Sequence, residues 1–181
     1  FGIKLPRSER GQVDVGLGKT VGAGRITLIP PTRLVGEARE THVIDGVEVE
    51  FTLTPESEAP AEMIMYFPQW RVLNIAELAC QTFHNLLPLR GARVRDARLW
   101  SAYLNDALYH YGSRTDVMVA QHNWPVWGGE QVRSHLAQQR DMYKFVHDQT
   151  LRLMNHGYKA AEIAEAIRLP RSLAESWGVQ P

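Results

Sequence analysis

The sequence predicts an α+β fold, a β-rich first half passing into a helical second half. Three observations carry this. Before about residue 90, short β-branched and aromatic runs alternate with Gly, Pro and Asp turn signals. Two of those runs flank Asp45-Gly46, a dipeptide suited to a type I′ hairpin because both central residues need positive φ. After residue 90, apolar residues recur at the helical period instead.

In chain order, Arg25 to Ile29 reads as a strand stopped by Pro30-Pro31. Thr41 to Ile44 and Val47 to Leu53 form the hairpin arms, and Met63 to Phe67 with Val72 to Ala76 add a further pair around Pro68-Gln69-Trp70-Arg71. This half is expected to be an antiparallel sheet region. Asp96 suits the N-cap of a helix whose apolar face runs through Leu99, Trp100, Tyr103, Leu104, Ala107, Leu108 and Tyr111, with Gly112 as its stop. Val117 to Ala120 reads as a short buried strand. A long helix is expected from Glu130 to His156, closed by Gly157. Two shorter helices, Ala160 to Arg168 and Arg171 to Trp177, follow around Pro170.

Bulk properties bound the function. The 181 residues are 44% apolar and 22% charged, ample for a core. Twenty basic residues balance twenty acidic ones, so nothing in the net charge favours nucleic acid or an anionic surface. No apolar run approaches the roughly 18 residues needed for a bilayer span. The lone cysteine, Cys80, excludes an internal disulfide. The chain opens on Phe1 rather than methionine, which leads us to expect a longer parent protein.

Chemistry concentrates at strand ends and the loops after them. Glu58 and Glu62 lie in the loop Pro55 to Glu62, Glu77 follows the run Val72 to Ala76, and His122 follows Val117 to Ala120. Such groups converge at one sheet edge, and carboxylate oxygen with imidazole nitrogen suits zinc. Taken alone, a glutamate after a strand is more often a cap or a solvated loop residue, and an isolated histidine a packing one. A second cluster, Thr82 to Gly91, contains His84, Asn85 and Arg90. His84 is able to act as acid or base near neutral pH, and Arg90 offers a fork matching a tetrahedral oxyanion. On composition alone a buried turn capping helix ends explains it better. The segment Gly157 to Pro170 looks like the start of a helix-turn-helix, but the next helix offers only Arg171 as a cation, so two packed helices are the better reading.

Whole phrases add more. Gly11 to Thr20, Ser57 to Met63, Ala76-Glu77, Thr82 to Gly91 with Arg95-Asp96, His122 to Gly128, and His147 to Leu151 resemble, in order, the class III alkylsulfatases. These are metallo-β-lactamase-fold enzymes that hydrolyse alkyl sulfate esters such as dodecyl sulfate. The resemblance implies that residues 1–90 are the β-rich C-terminal part of an αββα metallo-β-lactamase domain and residues 91–181 an incomplete helical dimerisation domain that includes a short strand and a metal-site loop near 117–128. It implies two zinc ions, with Glu58 completing one shell, Glu77 bridging both metals and His122 on the other zinc. His84, as the catalytic group, with Arg90 and Asn85 beside it would handle sulfate. The family's His-x-His-x-Asp-His motif does not occur here, since the histidines at 42, 84, 110, 122, 135, 147 and 156 are isolated. The resemblance places that motif upstream of Phe1, and a lipid-binding domain beyond Pro181.

Two departures are local: Leu78 stands where the family commonly has asparagine after Ala76-Glu77, and Phe67 to Trp70 matches loosely. The resemblance further implies a homodimer, with Leu136, Tyr143, Phe145, Val146, Leu151, Leu153 and Met154 on its long helix, and a periplasmic or secreted location. Attack at sulfur or at carbon, alkyl length and primary against secondary esters stay open. A stand-alone dimerisation module without catalysis, or another hydrolase on the same fold, are the alternatives; an isolated chain is expected to bind zinc weakly and to lack turnover.

Overall fold

The computed structural model describes Ser8, residues 24–88 and residues 91–176. The chain divides into two units, Phe1–Leu34 and Val35–Pro181. Among the described residues of the first unit there is no helix or strand. The strand expected over Arg25 to Ile29 is therefore corrected to irregular chain. Alternating apolar residues make a strand only where a neighbour completes the hydrogen-bond ladder, and among the described residues none pairs with this run.

The second unit holds a six-stranded sheet and four helices among its described residues. Strand β1 (Arg39–Ile44) turns through Asp45-Gly46 into β2 (Val47–Leu53), with Ile44 opposite Val47. Asp45 has φ 50° and Gly46 φ 80°, the two positive values that a type I′ turn requires. Strand β3 (Met63–Phe67) pairs antiparallel with β2, and a single 3-10 turn at Pro68–Trp70 leads into β4 (Val72–Asn74), antiparallel to β3. The buried positions alternate along β3, Ile64 and Tyr66 facing the core, because successive strand residues point to opposite faces.

The next connection differs in kind. Helix α1 (Ala97–Tyr111) lies between β4 and β5 (Val117–Val119), and β5 pairs parallel to β4, with Asn74 opposite Val119. Two parallel neighbours need a crossover, and α1 is that crossover. The sheet is thus mixed, and it closes with the short β6 (Val126–Trp127) antiparallel to β5.

Helix α1 is capped by Asp96, whose carboxylate accepts from the Leu99 N–H at 2.9 Å. Gly112 ends it for a different reason than conformational freedom. Its φ is −57°, but an added Cβ would lie 2.5 Å from the Leu108 carbonyl oxygen. Helix α2 (Gly129–Asn155) packs along α1 and ends at Gly157, whose φ is +85°. Helix α3 (Ala160–Ala166) begins with the Glu162 carboxylate accepting from the Lys159 N–H, and α4 (Arg171–Ala174) is one turn. Both stop short of their expected ends, and Trp177 lies outside the described residues.

The core forms where these layers meet. Ile64, Tyr66, Leu73, Ile75 and Met118 come from the sheet and its strand ends, Trp100, Leu104, Ala107 and Tyr111 from α1, and Val132, Leu136 and Tyr143 from α2. Its aromatics are stacked: Trp100 lies on Tyr143 at 4.7 Å between ring centroids, and Tyr66 on Tyr111 at 5.0 Å. The Tyr111 hydroxyl is paired with that of Thr52 at 2.8 Å.

Candidate metal and substrate site

The parallel pair β4/β5 sets the site. Glu77 and His122 each stand three residues beyond the paired positions Asn74 and Val119. Neighbouring parallel strands deliver their following loops to the same sheet edge, where ligand sites of such sheets lie. The Glu77 loop turns sharply. The Asn74 side chain accepts from the Ala76 N–H at 3.0 Å, and Ala76 adopts φ +53°, an uncommon value for a residue with a Cβ. Its carbonyls are then held by the helices behind. Trp100 donates its indole N–H to Leu78 O at 2.9 Å, His135 reaches Cys80 O at 3.0 Å, and Gln139 donates to Cys80 O at 3.1 Å. The two loops are also tied to each other, by Gln121 N–H to Ala76 O at 3.0 Å and the Gln81 amide to Trp124 O at 3.1 Å.

Glu58 arrives from the other side. The excursion between β2 and β3 is closed by Thr54 N–H to Glu62 O at 2.8 Å and braced by the Tyr103 hydroxyl on Pro55 O at 3.0 Å. Glu58 there makes an ion pair with Arg95, a side chain only 4% exposed. The segment carrying His84 and Asn85 completes the group. Phe83 packs tilted against Tyr143 and His84 lies 5.5 Å from the Trp100 ring, so the aromatic core is the floor of the site.

Glu77 is the hub. Its Oε2 lies 2.8 Å from His84 Nε2 and its Oε1 3.3 Å from His122 Nε2, so the two carboxylate oxygens face two imidazoles. Glu58, Glu77 and His84 each offer a ligand atom within 4.8 Å of the others. Two carboxylate oxygens and an imidazole nitrogen are a donor set that fits a divalent metal. The electrostatics fit too. Burial pushes the nearby Glu62 carboxyl up to about 7, and the charges of Glu58 and Glu77 push it the same way. The charge of Arg95 opposes this only in part. Burial likewise pushes the Cys80 thiol up to about 11, which makes it inert at neutral pH.

The structure thus brings together Glu58, Glu77, His84, Asn85 and His122 from the predicted set; Arg90 lies outside the described residues. Arg95 is the residue that sequence reasoning passed over as a site member. No local signal marks it: it lies in the loop just before the Asp96 cap, and its carboxylate partner Glu58 is 37 residues earlier. No side chain in the Gly11 to Thr20 phrase is described.

Mixed α/β architecture and a carboxylate–imidazole cluster at parallel strand ends define a candidate metal-binding protein. The comparisons then give its relatives. The chain is 51% identical over 174 residues to a linear primary-alkylsulfatase of Pseudomonas sp. and 49% identical over 180 residues to an alkyl/aryl-sulfatase of Saccharomyces cerevisiae. These matches cover 96% and 99% of this chain but 26% and 28% of the relatives. The chain spans about a quarter of the length of the curated relatives it matches. Among solved structures, the stereoselective inverting sec-alkylsulfatase of Pseudomonas sp. superposes with a TM-score of 0.92 at 49% identity, over 99% of this chain and 28% of that one. No family model matches the chain. The resemblance read from the sequence phrases is borne out as similarity to a segment of alkylsulfatases.

Proposed function

We propose that this chain carries part of the catalytic centre of a zinc-dependent alkylsulfatase, which hydrolyses an alkyl sulfate ester with water to the alcohol and hydrogensulfate. One observation supports this most. In a chain about half identical to alkylsulfatases, Glu58, Glu77 and His84 bring ligand atoms within 4.8 Å of one another from separate loops, and His122 approaches the other oxygen of Glu77 at 3.3 Å. Glu58, Glu77 and His122 are the residues that would hold zinc, with Glu77 turning one oxygen to each side. Zinc bound there supplies Lewis acidity and lowers the pKa of a coordinated water. Asn85 and Arg90 bind the sulfate oxygens, and His84 donates a hydrogen bond or proton where negative charge develops on the departing group. In this reading residues 1–90 form most of the catalytic portion, and residues 91–181 the dimerisation portion together with the metal-site loop near 117–128 that carries His122.

Three donors divided between two metals fall short of the three per ion that zinc sites use, so the isolated chain holds zinc weakly and lacks turnover. Zinc titration and dodecyl sulfate hydrolysis test this. Weak zinc uptake abolished by Glu77→Ala, with no sulfate released, is the expected result. Robust sulfate release by this chain alone would overturn the division of the centre. Zinc uptake indifferent to Glu77→Ala would overturn the centre itself.

A further inference from the structure

His84 has two possible uses in the site: as a third metal ligand beside Glu58 and Glu77, or as a hydrogen-bond donor. Arg95 separates them. Its Nη1 lies 2.8 Å from His84 Nδ1, 2.7 Å from Asn85 O and 3.0 Å from Asn85 Oδ1, while its Nη2 pairs with Glu58. A guanidinium offers N–H donors and no acceptor lone pair. The 2.8 Å contact is therefore a hydrogen bond only if Nδ1 carries no proton. Any form with a proton on Nδ1 sets N–H against N–H. Asn85 O, 3.1 Å from Nδ1, already accepts from Arg95 at the shorter distance of 2.7 Å. The ring proton is left on Nε2, which points at Glu77 Oε2.

We infer that Arg95 is a positioning residue that fixes His84 as an Nε2–H donor and keeps it out of the metal's shell. A histidine that ligates through Nε2 needs its lone pair there and its proton on Nδ1, facing a carboxylate or carbonyl. Arg95 presents the opposite partner. Among the described residues no guanidinium hydrogen-bonds to His122, whose Nε2 approaches the other oxygen of Glu77, so His122 is free to take the ligand tautomer. Burial makes the assignment firm, because a side chain 4% exposed has no water to take its place beside Nδ1. The same guanidinium holds Glu58, so one residue orients a ligand and the donor at once. This inference rests on the proposed alkylsulfatase reading for the metal and the ester, but the tautomer is independent of both.

The test uses the 15N-labelled 181-residue chain and two-bond 15N–1H correlation spectra at pH 7.5, with His84→Ala to assign the signal. The expected result is a protonated Nε2 and a bare Nδ1, with Nδ1–H gaining population in Arg95→Met. A protonated Nδ1 in the unmutated chain overturns the inference, as does an unchanged tautomer in folded Arg95→Met. Should Arg95→Met fail to fold, the spectrum of the unmutated chain decides. In equilibrium dialysis against zinc, His84→Ala is expected to stay within twofold of the parent affinity while Glu77→Ala falls tenfold or more. Equal losses in the two variants overturn it. If the unmutated chain takes up no zinc, the proposed function loses its metal and the spectra alone decide the role of Arg95.

Discussion

At the scale of single residues, the site has two kinds of member, those that touch one another across it and those that hold their loops from behind. Glu62 stands beside the first kind, near enough to Glu58 and Glu77 to feel their charges. With metal removed by chelator, its carboxyl takes up a proton in the fold at pH values where the unfolded chain's does not. Folded pKa about 7 against 4.5 unfolded means that stability is fully present below about 4.5 and is lost as pH rises towards 7. Glu62→Gln is therefore expected to raise the melting temperature at pH 8 and to leave it nearly unchanged at pH 4, as read by thermal denaturation in EDTA. Trp100 belongs to the second kind. Trp100→Phe removes the indole donor from Leu78 O and leaves a buried carbonyl unpaired. The expected cost is about 1–3 kcal/mol, measurable as a lower urea midpoint. Glu58, Glu77 and His122 each follow a strand, a weak signal that Glu62 shares, and the resemblance of their phrases is what singled them out. Arg95 was not singled out, because nothing in its neighbours announces that the loop turns it inwards to a carboxylate 37 residues earlier.

The elements divide in the same way. The Asp45-Gly46 hairpin and the Asp96-capped helix were legible because their signals are local: φ preference at two positions and one side chain reaching its own helix's backbone. The Arg25 to Ile29 strand failed because strand identity depends on a partner, which pattern alone does not supply. Gly112 was placed correctly as a stop, yet its reason is the nearness of Leu108 O rather than a left-handed turn. Helix α2 also acts on the site through His135, which is buried against Ala79 O and Cys80 O. Burial holds its imidazole below the usual histidine range, opposed only partly by those carbonyls. The unfolded chain thus binds the proton first, and stability falls as pH drops below about 6.5. His135→Gln keeps a donor for the carbonyls without a titrating ring. It is expected to show a smaller fall in melting temperature between pH 7.5 and 5.5 than the parent chain.

For the whole molecule, the sequence foretold the order, sheet before helices, and missed that β5 and β6 rejoin the sheet after α1. Three-residue strands carry too little pattern to announce a parallel pairing that depends on a crossover. Among the described residues no helix is long and apolar enough to cross a membrane. Along α2, Leu136 and Tyr143 are fully buried in the chain's own core, which accounts for part of the apolar surface assigned to dimerisation, whereas Leu151 and Met154 are exposed. If that remaining face pairs two copies, light scattering is expected to give twice the chain mass of 20.5 kDa, and Leu151→Glu with Met154→Glu to give the single mass. A monomer at high concentration would remove dimerisation from the reading.

The parallel pairing of β4 with β5 also governs when the centre comes into being during folding. Glu77 and His122 are neighbours only after the chain has laid down α1 and returned to the sheet, a closure that costs more chain entropy than the β1–β2 hairpin. The hairpin can therefore form early while the ends of β4 and β5 are still apart. If the two residues hold a metal as proposed, its capture by both together would mark the completed crossover, and a folding intermediate with native-like hairpins would be blind to zinc.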